Sequence, residues 1–303
     1  MKSFGGPDVL KPTELPKPHP KVGEILIRVR AAGINPIDYK IRSGNYTRAK
    51  SELPSVPGRD VSGQVEALGP DVSGLHVGDE VYAFLASHSG GYADFAIAQE
   101  NEVALKPRTL DHTTAAAVPL AGVTAWQALF DYGNLNPGQR VLIHGAAGGV
   151  GHFAVQFAKA RNATVFATGG PQDLDFLHNL GADKVINYKE EAFEDEVSEI
   201  DLVVDLIAGE TQQRSWKVLK RGGTLVSTLS QPSEEEASQH QARAKAFMAK
   251  PTRQILTEIA QLIDAGKVHV VLQKTYPLEQ AGQAQDDLEH EHSKGKRVLV
   301  LSK

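Results

Sequence analysis

The feature that most constrains this chain is a glycine-rich segment between a strand pattern and a helix pattern. Residues 144–151 read His-Gly-Ala-Ala-Gly-Gly-Val-Gly, with the apolar run 141–143 before them and a helical spacing of apolar residues over 149–161. A strand that turns tightly into a helix aims backbone N–H groups and the helix N-terminus at phosphate groups. The segment therefore predicts a dinucleotide-binding turn, and the alternative is a tight turn of purely structural use. The residues assigned to this turn are Gly145, Ala146, Ala147, Gly148, Gly149, Val150 and Gly151.

Strand and helix patterns alternate after this turn. Short apolar runs over 164–168, 184–187, 202–206 and 224–228 predict strands, and 174–180 predicts a helix. Such alternation is typical of βαβ units around a parallel sheet.

The first third of the chain has a different pattern of predicted elements. Short strand patterns over 24–31, 61–68, 81–85 and 92–98 are separated by glycine and proline, which favours a compact β barrel or sandwich. Two more strands are predicted over 268–273 and 297–301, and the second could complete the first sheet. We therefore predict a discontinuous domain of residues 1–112 and 268–303, interrupted by an α/β domain of residues 113–267.

Composition limits the classes of partner. The net charge of −5 argues against a general nucleic-acid binder, which needs a basic face. The longest uncharged run, 113–130, contains threonine, proline and glycine and predicts buried helix and loop rather than a membrane span. The chain has no cysteine, which excludes disulfides and thiolate metal sites and fits a reducing compartment. With no signal-peptide pattern at the start, we expect a cytoplasmic protein without membrane or nucleic-acid partners.

Five segments resemble, in order along the chain, motifs of the zinc-free quinone oxidoreductase-like members of the medium-chain dehydrogenase/reductase superfamily. They are Gly-Ile-Asn-Pro-Ile-Asp at 33–38, Val-Pro-Gly-Arg-Asp-Val-Ser-Gly at 56–63, Leu-Ala-Gly-Val-Thr-Ala-Trp at 120–126, the segment 180–188, and His-Ser-Lys-Gly-Lys-Arg-Val at 292–298. The resemblance implies an α/β protein with a Rossmann parallel-sheet domain and a GroES-like β-barrel catalytic domain. It also implies NADPH in the cleft between them, and a small electrophilic substrate such as a quinone or an alkene activated by a carbonyl.

Two positions bear on zinc. Zinc alcohol dehydrogenases of this superfamily place cysteine where Asn35 stands and histidine where Arg59 stands, and neither residue here is a usual zinc ligand. Without a Lewis acid, alcohol oxidation loses its usual means of stabilising an alkoxide, whereas reduction of an electron-poor acceptor needs less help. We expect no metal site.

The resemblance also indicates catalytic residues. Asn35 and Tyr46 match positions that line the nicotinamide and substrate pocket, and Lys40 stands where zinc dehydrogenases keep a proton-relay histidine. These three are our candidates for donors near the substrate carbonyl oxygen. For Lys40 the alternative is a solvated helix lysine. Asp38 is expected to hold the loop by hydrogen bonds.

The resemblance also implies the remaining cofactor residues, several of which follow the ends of predicted strands. Thr124 is expected on the nicotinamide side and Tyr188 near the adenosine 2′-phosphate, unless it is an ordinary strand-end tyrosine. His144 is predicted to be structural. The other residues assigned to the cofactor are Thr168, Gly169, Ile207, Ala208, Ser227, Thr228, Leu229 and Lys296.

The choice between NADPH and NADH is expected to depend on the end of the second strand. It reads Ala-Thr-Gly-Gly over 167–170, with no carboxylate to repel a 2′-phosphate and no cation to hold it. This favours NADPH, with NADH the less favoured alternative.

Two other functions stay open. One is an enoyl-thioester reductase on the same scaffold, for which the cations of residues 231–250 are suggestive, although a solvated helix and loop is the simpler interpretation of that segment. The other is a non-catalytic NADPH-binding protein. The resemblance further leaves a homodimer open.

Overall fold

The protein is described by a computed structural model that covers residues 1–46, 53–85 and 90–301. Its strands are β1 Glu24–Ile34, β2 Asp60–Leu68, β3 Glu80–Phe84, β4 Phe95–Gln99, β5 Val103–Leu105, β6 Arg140–Ile143, β7 Thr164–Gly169, β8 Lys184–Asn187, β9 Ile200–Asp205, β10 Leu219–Ser227, β11 Arg243–Ala246, β12 Leu272–Pro277 and β13 Lys296–Val300. Its α-helices are α1 Pro36–Arg42, α2 His112–Ala115, α3 Pro119–Trp126, α4 Gly151–Ala160, α5 Leu174–Asn179, α6 Phe193–Glu196, α7 Gly209–Arg214, α8 Glu234–Gln239, α9 Arg253–Asp264 and α10 Ala281–His290. A π-helical turn, Gln127–Tyr132, follows α3.

The chain divides into two compact units. Unit 1 comprises Met1–Val123, Lys250–Gly266 and Val270–Lys303, and unit 2 comprises Thr124–Ala249 and Lys267–His269. The predicted domain boundaries differ from these units mainly at α9, which lies in unit 1.

Helix α9 belongs with unit 1 because its residues bond to the strands of that unit. The Tyr82 hydroxyl donates to the Leu256 carbonyl oxygen at 2.5 Å, and Arg253 Nε donates to the Val103 carbonyl oxygen at 2.9 Å. The predicted domain boundary at residues 113–267 stays a prediction. The structure shows in addition that α9 is bonded to strands of unit 1.

Unit 1 is built on a seven-stranded sheet in the order β12-β13-β1-β2-β3-β5, with β4 also paired to β1. The pairing of β1 with β13 is antiparallel and sets Ala31 opposite Val300 and Gly33 opposite Val298. This confirms that the last predicted strand completes the first sheet. Inward-facing apolar residues of β1, including Ile25, Ile27 and Val29, form the core of the unit with residues from the other strands.

Unit 2 is built on a six-stranded parallel sheet in the order β11-β10-β9-β6-β7-β8. This is the doubly wound order 3-2-1-4-5-6 of a Rossmann domain, so the predicted parallel sheet is confirmed. The order reverses between β6 and β9, and ligands of such sheets bind at the carboxyl ends of the strands near that reversal. The glycine turn of residues 144–150 follows β6 at this point.

Two segments differ from their sequence prediction. The strand predicted over 268–273 is β12, which begins only at Leu272, because the Gln156 side chain bonds both the N–H and the carbonyl oxygen of His269. The segment 231–250, interpreted as solvated helix and loop, contains α8 and also β11, which pairs with β10 at the edge of the sheet. Among the residues that the structure describes, no helix is both long and apolar enough to cross a membrane.

The closing strand offers a test of unit 1. Leu299 of β13 is fully buried in the unit 1 core, whereas its neighbour Val300 is 36% exposed. Leu299→Ala should lower the free energy of unfolding by about 2–5 kcal/mol, because it leaves a cavity. Val300→Ala should change it by less than about 0.5 kcal/mol. Urea unfolding followed by circular dichroism measures both, and equal effects would contradict the assigned register.

Candidate active site

The turn after β6 is shaped by glycines at three places. Gly145 has φ +69°, a conformation that glycine adopts without a steric penalty. A Cβ atom on Gly151 would collide with the Gly145 carbonyl oxygen and with Ala146, so α4 can begin against the turn only with glycine there. A Cβ atom on Gly148 would meet only the Gly145 carbonyl oxygen, at 3.4 Å, so the backbone is open on that side.

The two alanines of the turn are buried. The side chains of Ala146 and Ala147 are 0% and 5% exposed, so they pack inward and do not line the approach. Gly145 is partly exposed before the alanines, and Gly148, Gly149 and Val150 are partly exposed after them. The open backbone over these residues suits a pyrophosphate at the start of α4.

Exposed apolar side chains follow the carboxyl ends of four strands of unit 2. Tyr188 after β8, Ile207 after β9, Leu229 after β10 and Met248 after β11 are 56%, 53%, 43% and 54% exposed. Water-exposed apolar residues gathered along one edge mark a ligand-binding surface. With the open turn, this edge fits the flat rings and phosphates of a dinucleotide.

Asp205, at the end of β9, holds the next turn. Its Oδ1 accepts the backbone N–H groups of Ile207 at 3.0 Å and Ala208 at 2.8 Å, and its Oδ2 accepts from Gln212 at 2.8 Å. Ala208 has φ 66° and ψ −164°, a conformation found almost only in glycine. The buried carboxylate of Asp205 thus stabilises a strained turn in which Ile207 is exposed to solvent. Asp205 was not among the predicted residues, although an aspartate that ends an apolar strand could have indicated it.

His144 lies between two hydroxyl groups. Its Nδ1 is 3.1 Å from Thr168 Oγ1 and its Nε2 is 3.1 Å from Ser215 Oγ. Since Ser215 donates its proton to the Thr211 carbonyl oxygen, Nε2–H must donate to Ser215, and Nδ1 accepts from Thr168. Burial lowers the pKa of His144 to about 4, which keeps the ring neutral. These contacts agree with the predicted structural role of His144. In this arrangement the Thr168 hydroxyl donates its proton to His144.

A carboxylate that sequence reasoning missed lies at the end of β7. Asp173 is 1% exposed, and its Oδ2 accepts the Gly170 N–H at 3.1 Å. The signal was present, because dinucleotide folds often carry an acidic residue about 20 residues beyond the glycine turn. Asp173 lies beyond residues 167–170, the segment on which the cofactor choice was expected to depend.

The remaining cofactor candidates of unit 2 lie as follows. Ser227 ends β10, and its hydroxyl accepts the Leu229 N–H at 3.2 Å. The Thr228 N–H donates to the Asp205 carbonyl oxygen at 3.4 Å. Thr124 is the first residue of unit 2 and is 6% exposed. Their roles toward a cofactor stay predictions.

Unit 1 contains a buried polar network at the junction of β1, β2 and β13. Lys296 Nζ donates to the carbonyl oxygen of Ile34 at 2.9 Å and to Asn35 Oδ1 at 2.5 Å, and it lies 3.6 Å from Asp60 Oδ2. Asn35 Nδ2 donates to Asp60 Oδ2 at 2.8 Å. Burial raises the pKa of Asp60 and lowers that of Lys296, and the attraction between the two groups opposes both shifts.

Asp38 holds the start of α1, as expected. Its Oδ2 accepts the Asn35 N–H at 2.8 Å and the Tyr92 hydroxyl at 3.0 Å. Burial raises the pKa of Asp38 to about 7. The structure therefore places Asn35 and Lys296 together, next to Asp38, and the role of Lys296 toward the cofactor stays a prediction.

The other two catalytic candidates lie near the same helix. Lys40 lies on α1 and is partly buried, and Tyr46, after α1, is also partly buried. The Arg59 guanidinium donates to the Leu85 carbonyl oxygen at 3.2 Å. No group of three or more metal-ligating His, Cys, Asp or Glu residues occurs within the described ranges.

Comparison with known proteins identifies the family. The model of the zinc-binding dehydrogenase family matches residues 180–299, and that of the alcohol dehydrogenase GroES-like domain matches residues 21–108. The quinone oxidoreductase of Rattus norvegicus is 34% identical over 98% of this chain and 95% of its own length.

Solved structures agree with this. The quinone oxidoreductase from Coxiella burnetii has a TM-score of 0.92 and 35% identity, covering 99% of this chain and 98% of that one. The Escherichia coli quinone oxidoreductase complexed with NADPH has a TM-score of 0.88 and 30% identity, covering 99% and 98%. The chain therefore belongs to the quinone oxidoreductase-like family of the medium-chain dehydrogenase/reductase superfamily, and it is an oxidoreductase with a GroES-like domain and a Rossmann domain.

The neutral His144 should make stability depend on pH. Below its ordinary pKa of 6.5 the unfolded chain binds a proton that the folded chain refuses until about pH 4, so the free energy of unfolding falls as pH drops between these values. The full loss is about 3 kcal/mol. His144→Gln should flatten this pH dependence. Both tryptophans, Trp126 and Trp216, lie in unit 2, so urea unfolding followed by their fluorescence reports on it.

The control for His144 is His178, which is exposed. His178→Gln should leave the pH dependence of the unfolding midpoint as in the parent protein. An unchanged slope in His144→Gln would contradict the neutral, doubly hydrogen-bonded ring.

The unit 1 network predicts a double-mutant result. Lys296→Met leaves Asp60 buried without its cation and should cost about 3–5 kcal/mol of unfolding free energy. Adding Asp60→Asn removes the unpaired charge and should recover part of that loss. Unfolding of the two single variants and the double variant by circular dichroism measures the coupling. Strictly additive effects would show that the two groups do not interact.

Proposed function

We propose that the protein is an NADPH-dependent reductase that transfers hydride to a quinone or an α,β-unsaturated carbonyl compound without zinc. The observation that carries the proposal is the similarity to quinone oxidoreductases over 98% of the chain. The open glycine turn and the apolar edge of unit 2 support the dinucleotide, since both fit its phosphates and rings.

The zinc-free part of the proposal rests on residue type. Asn35 is an amide bonded to Asp60 and Lys296, and Arg59 is a cation bonded to a carbonyl oxygen. Neither side chain is a usual zinc ligand. A match to a zinc-binding dehydrogenase model over residues 180–299 does not cover these two positions.

The chemistry divides between cofactor and protein. NADPH, when bound, supplies the hydride. Reduction of the acceptor also needs a proton and stabilisation of the negative charge that develops on its carbonyl oxygen. We assign that stabilisation to Asn35, Lys40 and Tyr46, which offer an amide, an ammonium and a phenol as donors. After its bond to Asp60, the Asn35 amide still has one N–H to donate.

The decisive experiment compares acceptors and cofactors. Initial rates of NADPH and NADH oxidation would be measured with an ortho-quinone, a para-quinone, a short enone and an enoyl-thioester. We expect turnover of quinone or enone with NADPH, and the rate should survive treatment with a chelator because no metal takes part.

Three results would contradict the proposal in different ways. A preference for the thioester would favour an enoyl-thioester reductase. Tight NADPH binding without turnover of any acceptor would favour a non-catalytic binding protein. Activity that disappears with the chelator and returns with zinc would contradict the zinc-free mechanism.

A further inference from the structure

Two charged side chains determine which way the Asn35 amide points. Asn35 Oδ1 accepts from Lys296 Nζ at 2.5 Å, and Asn35 Nδ2 donates to Asp60 Oδ2 at 2.8 Å. An ammonium group only donates hydrogen bonds, and an ionised carboxylate only accepts them. A flipped amide would set its N–H groups against the ammonium and its oxygen against the carboxylate. Only the observed orientation therefore satisfies both neighbours.

The Asp60 carboxylate is itself held in place. Asp60 is fully buried, and its Oδ1 accepts the Leu120 N–H at 2.7 Å. In the pairing of β1 with β2, Asp60 lies opposite Gly33, where an added Cβ atom would come within 2.9 Å of the Asp60 Cβ atom. The glycine therefore allows Asp60 to pack directly against the end of β1, next to Asn35.

Three acceptors surround the Lys296 ammonium, which has three N–H groups to donate. They are the Ile34 carbonyl oxygen at 2.9 Å, Asn35 Oδ1 and, at 3.6 Å, Asp60 Oδ2. The Lys296 side chain is 3% exposed. A lysine that binds a cofactor phosphate needs an N–H group directed at that phosphate. The surroundings of Lys296 thus favour a role toward Asn35 over the predicted role toward the cofactor.

After these contacts the Asn35 amide keeps one N–H, which the proposed function directs at the carbonyl oxygen of the substrate. Such a donor stabilises developing charge most when it is held in place beforehand. We infer that Lys296 and Asp60 are positioning residues that act on hydride transfer by holding the Asn35 amide as a donor toward the substrate. The inference rests on the proposed function and deepens it by naming the residues that orient one of its donors.

The test measures hydride transfer and cofactor binding separately, on the full chain. The rate of hydride transfer is the single-turnover rate of NADPH oxidation in stopped flow, with the quinone or enone that the parent protein reduces fastest. Lys296→Met should lower this rate by about 10- to 100-fold, since a displaced donor loses its effect on the transition state. The Kd of NADPH, measured by calorimetry, should stay unchanged. Weaker NADPH binding with a retained rate would show that Lys296 binds the cofactor and would overturn the inference.

A double-mutant cycle tests whether Lys296 acts through Asn35. Asn35→Ala should also lower the single-turnover rate, because it removes the donor. Adding Lys296→Met to Asn35→Ala should cause no further loss of rate, because there is then no amide to position. If the two losses multiply, Lys296 acts independently of Asn35 and the inference is wrong.

A second combination separates activity from folding, because Lys296→Met alone also destabilises unit 1. Lys296→Met with Asp60→Asn is expected to recover part of the lost stability. The amide that replaces the Asp60 carboxylate can either donate or accept, so the Asn35 amide no longer has one preferred orientation. The rate of hydride transfer should therefore stay low while the stability recovers. Recovery of the rate together with the stability would show a purely structural role.

The matched control is Arg297, the next residue of β13. It is also a buried cation, with 1% exposure, and its guanidinium donates to Glu291 Oε2 at 2.8 Å. Arg297→Met should leave the single-turnover rate and the Kd of NADPH as in the parent protein. A comparable loss of rate would mean that loss of any buried cation of β13 is enough, and the inference would fail while the parent activity still supports the proposed function. If the parent protein reduces no acceptor, the proposed function fails and the inference fails with it.

Discussion

Unit 1 depends on the pairing of β1 with β13. The ladder joins the start of the chain to its end, and Lys296 strengthens it with a hydrogen bond to Ile34 across a sequence separation of 262 residues. Because β1 also pairs with β2 and β4, it is the strand on which the rest of this sheet is assembled. The buried Asn35, Asp60 and Lys296 lie where three of these strands meet. The contacts that complete the sheet therefore also hold the candidate catalytic residue Asn35 in place.

Much of the fold could be predicted from local patterns, and the failures have physical causes. Strand β8 was predicted at residues 184–187 and is observed there, because a short apolar run between a glycine turn and polar residues has few alternatives. Strand β11 was missed because Arg243–Ala246 alternates charged residues with alanine. This pattern is compatible with an edge strand that has one solvent-exposed face. The start of β12 was misplaced because Val268 is buried outside any strand, and apolar character alone does not distinguish the two cases.

The candidate site was predictable where it is local in sequence. The glycine turn, the residues after strand ends and the structural role of His144 all follow from neighbouring residues. The contacts of Lys296 with Asn35 and Asp60 are not local, since they join three distant segments. Asp173 is an intermediate case, because spacing from Gly151 could have indicated it, but only the structure shows that its carboxylate faces inward.

The discontinuity of unit 1 has a consequence for synthesis on the ribosome. The chain segment of unit 2 is nearly complete by Ala249, whereas β13 follows some 50 residues later, with Lys296. The Rossmann sheet can therefore form while the edge of β1 that β13 will cover is still unpaired. An unpaired strand edge is prone to pair with other chains. The nascent protein thus carries an unprotected β1 edge until its final strand emerges, and that interval is when we expect a chaperone to matter most.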